Sequence, residues 1–401
     1  MRTQSRLEQG VAFALFLLLV AGAAASFAFD RDAPEPAPVT TEGEPPVTDD
    51  DTPDDEPEEG AAAPAGESGP RTFTIAATGD LLIHESVADA ARTADGWDFS
   101  PMFARVAPIL RAADLAVCHV ETPMSPNNAR LSYFPAFIVP RELGSAIAYA
   151  GYDTCSLASN HATDAGQEGI VGTISALDRA QVAHAGMALS QEDRDRVTLV
   201  EAGDATVAHL SYSYGFTNRE LPADEAYLSN LIDEATILDE ARRARTEGAD
   251  FVVLSMHWGA NYEATPDEQQ ATLGPRILAS DDVDLILGHH AHVVQPVARI
   301  GDEFLVYGLG NFLSNQSPES CDVCPVSTTD GVIVHLTVTE DEASGRWRVS
   351  DISHTPTWVD RTNYEIVDVL RGSGRDPALM AESAQRTASA LEALGIAVAP
   401  R

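Results

Sequence analysis

Four short apolar runs, residues 73–78, 115–118, 251–256 and 285–287, are rich in Val, Ile, Leu and Ala and read as buried strands. Each is followed closely by side chains that bind metal ions: Asp80 after Gly79, His119 and Glu121 on either side of Val120, His257 before Trp258 and Gly259, and His289, His290 and His292 after Gly288. Two further segments have the same character, Ser159 with Asn160 and His161, and Gly310 with Asn311 and Phe312. An α/β sheet builds its sites from polar residues just past the carboxyl ends of neighbouring strands, so the pattern calls for a fold that brings these ends together. Helical patterns over residues 101–113, 141–150, 167–180, 233–246 and 266–279 alternate with the strands, as a layered α/β arrangement requires. Residues 197–200 with 206–211 read as one hairpin. Residues 331–339 with 347–352 read as another, expected to finish a second sheet.

The residue types define the chemistry. A site for two divalent ions needs a carboxylate to bridge them and neutral nitrogen and oxygen donors to complete each shell, and imidazole and carboxylate suit Mn, Fe or Zn. Two ions about 3.5–4 Å apart can clamp a phosphoryl group and supply a nucleophile near neutral pH. A lone histidine beside a strand is ordinarily a packed residue with one hydrogen bond. Six of the eleven histidines fall in these segments, which packing alone does not explain.

In this order the segments resemble the capsule-synthesis CapA family, poly-γ-glutamate capsule proteins related to the calcineurin-like metallophosphoesterases. The resemblance spans residues 72–359 and is most specific at residues 158–166, at His257, Trp258 and Gly259 with Tyr262 and Glu263 after them, and at residues 288–295. It implies an α/β fold of metallophosphoesterase type, a four-layer α/β/β/α sandwich of two mixed sheets flanked by helices, with metals held on loops at one edge. It implies that Asp80 binds the first ion, that Glu121 takes the bridging place, that Asn160 and His257 bind the second, and that His290 and His292 are divided between them. His161 would protonate a leaving oxygen as general acid, and Asp164 would orient its ring. Three departures stand out. Leu82 fills a place where the wider superfamily has histidine, and His84 follows two residues later as a further candidate. His119 stands where the family commonly has asparagine, as an extra ligand or a substrate contact. His289 adjoins His290 and His292, so counting does not settle which two bind. Asn311 resembles the family's Gly-Asn-Phe turn and either touches the site or satisfies its own loop.

The amino-terminal residues 1–29 form a membrane anchor or a signal segment. Arg2 and Arg6 precede nineteen uncharged residues, 11–29, long enough to span a bilayer, while Ala23, Ala24 and Ala25 offer a cleavage pattern. An anchor is the favoured reading, with the basic residues cytoplasmic and the remainder extracytoplasmic; cleavage would make the protein secreted. Residues 30–70, Pro-rich with fourteen acidic residues and one arginine, read as a disordered spacer. Residues 71–365 form the catalytic-type domain and residues 366–401 a tail whose stretch 377–394 favours helix.

Net charge narrows the partners. Of the −37 total, residues 1–29 contribute +1 and residues 30–70 contribute −13, leaving −25 for the rest. That excludes nucleic acid, whose phosphates are bound through excess Lys and Arg, and it sits awkwardly with simple electrostatic binding of an anionic polymer. The function implied is a membrane-anchored, extracytoplasmic hydrolase-like protein in synthesis or export of capsular poly-γ-glutamate, with an anionic polymer or a phosphoester as substrate. The alternatives are a general cell-envelope metallophosphoesterase and a non-catalytic scaffold beside a membrane-bound polymer synthase. Cys321 and Cys324 read as a small disulfide. Cys118 and Cys155 read as buried apolar side chains, or as a bridge should their strands be neighbours.

Overall fold

The strand Thr72–Leu81 generates the layering, because both of its faces are apolar. Phe73, Ile75 and Ala77 point one way and pack with Phe251, Val253, Leu285 and Leu287. Ala76 and Leu81 point the other way, into a core that holds Ile147, Ile170 and Ile174. Side chains alternate across a strand, so one strand with two apolar faces needs a layer on each side. The computed structural model describes residues 70–372 and 376–401. The apolar run 11–29 and the acidic segment up to residue 69 lie outside the described residues, and among the described residues no helix is long and apolar enough to cross a membrane.

A nine-stranded sheet runs in the order Glu365–Asp368, Trp347–Asp360, Asp330–Glu340, Thr72–Leu81, Leu115–Val120, Thr154–Ser156, Ala183–Ala185, with Asn311–Leu313 pairing the end of Thr72–Leu81 and Ala399–Pro400 flanking Trp347–Asp360. The six-stranded sheet runs Val297–Ile300, Glu303–Val306, Leu285–His289, Phe251–His257, Ala205–Ser213, Thr198–Ala202. The first sheet is antiparallel from Glu365–Asp368 to Thr72–Leu81 and parallel from there to its edge at Ala183–Ala185, whereas the second is parallel at its centre and antiparallel at both margins. Helices Leu143–Ala150 and Gly166–Ala180 cover the outer face of the first sheet, and Glu234–Thr246 and Glu268–Leu278 that of the second. The result is the expected α/β/β/α order. Between the sheets Phe73 and Phe251 meet edge to face at 5.7 Å, a contact whose truncation to alanine costs about 3–5 kcal/mol.

Local chemistry sets the helix ends. Asp233 accepts from Thr236 N, Asp267 forms a capping box with Gln270, and Gly151 closes Leu143–Ala150 at φ 99°. The helix expected over residues 101–113 is instead two single turns, Ser100–Phe103 and Ala107–Leu110. Pro108 has no amide proton to continue the first turn, and it restarts the chain in the first turn of the second. The hairpin expected to finish the second sheet, Asp330–Glu340 with Trp347–Asp360, joins the first sheet instead, beside Thr72–Leu81. The hairpin Thr198–Ala202 with Ala205–Ser213 occupies the second sheet's edge. Cys118 and Cys155 are opposite each other on adjacent parallel strands and form a disulfide, as do Cys321 and Cys324. The helix Pro377–Leu391 lies against Trp358 and Val367 through Met380, and Arg386 and Ser383 bond Asp330.

Candidate metal centre

Strand ends from both sheets deliver the polar residues to one place. Asp80 ends Thr72–Leu81 and pairs with His119 on one side and Asn311 on the other. Gly79 allows this: a Cβ there would stand 1.9 Å from Gly310 O, so only glycine lets the two backbones approach and Asp80 N donate to Gly310 O. From the second sheet, His257 and His289 are register partners at the ends of their strands. The chain then leaves the sheet through His290 and His292, both with left-handed backbone, φ 88° and 57°. Each such conformation costs about 1–3 kcal/mol in a non-glycine residue and persists where the surroundings require it. Here His290 N donates to Asp80 Oδ2 at 3.2 Å.

Three donor triads result, each with its ligand atoms within 4.8 Å of one another: Glu121 with His257 and His290, Asp80 with Glu121 and His292, and Asp80 with His119 and His289. Glu121 belongs to two of them and Asp80 to two. Glu121 is fully buried, and neither carboxylate oxygen has a hydrogen-bond partner. The same holds for His290 Nδ1 and for both ring nitrogens of His289, although His289 Nδ1 is 3.4 Å from Asp80 Oδ1. A buried polar atom without a partner forfeits about 1–3 kcal/mol, and more when charged. Orphaned donors converging on one point fit divalent cations, and the mixture of imidazole, carboxylate and Asn160 carbonyl fits Mn, Fe or Zn.

Asn160 Oδ1 lies 3.0 Å from His257 Nε2, next to the first triad. His161, the next residue, turns to Asp164, its Nδ1 2.7 Å from Oδ2. Asp164 is held by two further donors, Phe137 N and Asn218 Nδ2, each at 2.8 Å. With Nδ1 engaged, Nε2 is the free nitrogen of His161, and the ring is wedged against Phe137 at 4.8 Å. Asn311 Oδ1 lies 3.1 Å from His292 Nδ1, and its amide donates to His292 O and Thr328 O. Asn311 therefore both satisfies its loop and orients His292. His84 is apart from the three triads: its Nδ1 lies 3.2 Å from Leu82 O, and its ring meets Phe137 at 5.8 Å.

Electrostatics reflect the crowding. Burial opposes ionisation of Asp80, but the adjacent His289 and His292 imidazoles outweigh it and hold the carboxyl far below its usual range. Burial pushes Glu121 up to about 7, with His292 working against it. Burial also disfavours charging His292, yet Glu121 and Asp80 prevail and raise it to about 9. His119 and His257 are driven well below 6.5 by burial and by neighbouring imidazoles, and His290 to about 3. His119, His257 and His290 are thereby neutral, the state in which an imidazole can bind a cation, whereas His292 would have to release its proton on binding one.

Several contributors carry no sequence signal. Tyr214 stacks over His257 at 6.2 Å, approaches His290 at 4.7 Å, and receives Asn160 Nδ2 at 3.5 Å. Ser156, Phe137 and Asn218 come from loops or strands that nothing marks as special. Their roles follow from which strands become neighbours.

The sequence model of the family described as bacterial capsule synthesis protein PGA_cap matches residues 74–316. The chain is 26% identical over 263 residues to the capsule biosynthesis protein CapA of Bacillus anthracis, covering 64% of this chain and 63% of that one. It is 25% identical over 291 residues to the PGA biosynthesis protein CapA of Bacillus subtilis (strain 168), covering 69% and 71%. The chain thus spans less than two thirds of the Bacillus anthracis relative's length. Among solved structures, a putative 5′-nucleotidase from Staphylococcus aureus aligns with TM-score 0.45 and 15% identity over 78% of this chain and 58% of that one. The calcineurin-like phosphoesterase YfkN from Bacillus subtilis aligns with TM-score 0.39 and 15% identity over 79% and 96%.

Proposed function

Because the chain belongs to the bacterial capsule synthesis protein PGA_cap family, we propose that it is a metal-dependent hydrolase acting on a phosphoester in the synthesis or export of a capsular poly-γ-glutamate-type polymer. The carrying observation is Glu121, a fully buried carboxylate with two orphaned oxygens shared by two donor triads. Glu121, His257 and His290 with Asn160 would hold one ion, and Asp80, Glu121 and His292 the other. When bound, such ions supply Lewis acidity for a phosphoryl oxygen and lower the pKa of water.

The chain's own residues do the rest. Asp164 fixes His161 so that Nε2 carries the lone pair or the proton toward the substrate, which suits a general acid for a leaving oxygen. Phe137 and Asn218 keep Asp164 from rotating away. Tyr214, half exposed beside His257 and His290, forms one wall over the site. The apolar run 11–29 would anchor the chain with this domain outside the membrane, where two disulfides persist, beside a membrane-bound polymer synthase. Relatives bearing the name polyglutamine synthesis accessory protein, from Mycobacterium tuberculosis, suit such a setting.

Elemental analysis of the purified chain together with phosphoester turnover tests this reading. About two ions per chain are expected, with Glu121→Ala losing them. His161→Asn is expected to keep the ions and lose about 10²–10⁴-fold in turnover. Equal metal loss in both variants would remove the division between ligand and acid.

A further inference from the structure

His119 is engaged at both ring nitrogens: Nδ1 is 2.8 Å from Ser156 Oγ, and Nε2 is 3.0 Å from His257 Nδ1. We infer that His119 is no ligand but a positioning residue, the acceptor that fixes the His257 tautomer so that Nε2 of His257 faces a cation. The assignment rests on the two-ion reading above. Two donors on one ion, each about 2.1 Å from it, sit about 3 Å apart, and His257 Nε2 and Asn160 Oδ1 are 3.0 Å apart. A neutral His257 that gives Nε2 to an ion carries its proton on Nδ1, aimed at His119 Nε2.

That nitrogen then has to accept, which places the His119 proton on Nδ1, donated to Ser156 Oγ. The Ser156 hydroxyl in turn reaches Cys118 O at 3.3 Å. Every proton in the row has an acceptor, and all run in one direction. An imidazole ligand oriented through its second nitrogen is the usual way a protein fixes a metal-binding histidine. The same row decides the third triad. An ion held on His119 Nε2 with Asp80 and His289 would face the Nδ1 proton of His257, so the chain of hydrogen bonds and a third ion are mutually exclusive.

The strands are built for this. His119 pairs with Ser156 and Cys118 with Cys155, in register on parallel neighbours. Alternation puts the disulfide on the helix-covered face, among that core, and puts His119 and Ser156 on the face toward the second sheet. The covalent clamp therefore sits one residue from the row it aligns.

The test measures metal stoichiometry and affinity of the full chain, loaded with Zn²⁺ or Mn²⁺ and titrated with a chelator. His119→Ala is expected to weaken one of two ions about 10–100-fold and to leave the other in place. His119→Gln, whose side-chain oxygen can accept from His257, is expected to recover most of that loss. Ser156→Ala is expected to move affinity in the same direction by less. Recovery by Gln is a result that a merely structural defect would not give. Unchanged affinity in His119→Ala overturns the assignment, and so does a wild type with three ions that loses one entirely in both His119 variants. A wild type that binds no metal overturns the two-ion reading and this assignment with it, whereas metal-loaded wild type with an indifferent His119→Ala overturns only the latter.

Discussion

Glu121 and Asp330 are both carboxylates sealed from water, 0% and 2% exposed, and they are treated in opposite ways. Asp330 receives Arg386 Nε at 2.6 Å, Arg386 Nη2 at 2.8 Å and Ser383 Oγ at 2.7 Å. Glu121 receives nothing at either oxygen and sits among imidazoles. This chain thus supplies a buried carboxylate with partners where the task is to fasten the Pro377–Leu391 helix to a strand. Where it leaves Glu121 bare, the proposed cations would supply the partner.

The contrast breaks most readily at Glu121 itself. Thermal or denaturant unfolding of the wild type with Zn²⁺ or Mn²⁺ at a thousandfold excess over its dissociation constant should show a gain of about 4 kcal/mol. Glu121→Gln should show little gain, and without metal it should be at least as stable as the wild type, because burial already pushes the Glu121 carboxyl toward its neutral form and chiefly His292, 3.7 Å away, offsets its charge. A metal-free Glu121→Gln that is markedly less stable would mean that Glu121 has a partner after all.

At Asp330 the sign reverses. Arg386→Ala leaves the carboxylate buried with no counter-charge, bonded by the Ser383 hydroxyl, so a loss of about 3 kcal/mol is expected in denaturant unfolding, with or without metal. Burial already raises the Asp330 pKa against the pull of Arg386, so the remaining group would take up a proton. A loss below about 1 kcal/mol would place this pair with ordinary surface ion pairs and remove the distinction drawn from it.

The sequence disclosed these two regions unequally. The strands around Asp80, Glu121 and His257 were legible because apolar runs end in residues that packing cannot use, and the helices at 233–246 and 266–279 because Asp233 and Asp267 announce their starts. Pro108 was legible in principle as a breaker, and the apolar periodicity across residues 101–113 concealed it. The sheet membership of Asp330–Glu340 was not legible, since an alternating hairpin fits the edge of either sheet and only the two-faced strand Thr72–Leu81 decides which one needs it. Nor were Ser156, Tyr214 and Asn218, which matter through neighbours 37 to 54 residues away in sequence.

Glu303 sharpens the comparison from between the two extremes. It is 7% exposed, its Oε2 has no hydrogen-bond partner, and it begins the strand Glu303–Val306 at the end of the sheet remote from the triads. Burial, then repulsion from Asp284, push its pKa up to about 7, against the attraction of Arg346 and Arg348. Among the described residues no histidine contributes to that shift, so the orphaned oxygen is relieved by a proton rather than by a cation. The unfolded chain ionises near 4.5 and the folded one near 7, so the folded state binds the proton more tightly. Stability from this group is full below pH 4.5 and is lost as pH rises through 7. Glu303→Gln resembles the protonated form at every pH. It should melt with the wild type at pH 4.5 and about 1–3 °C above it at pH 8.5, a modest shift because solvent and two arginines screen the charge. Metal should leave that difference unchanged, whereas at Glu121 metal should reverse it, and a metal-dependent shift at Glu303 would mean that bare carboxylates in this fold are not reserved for one edge.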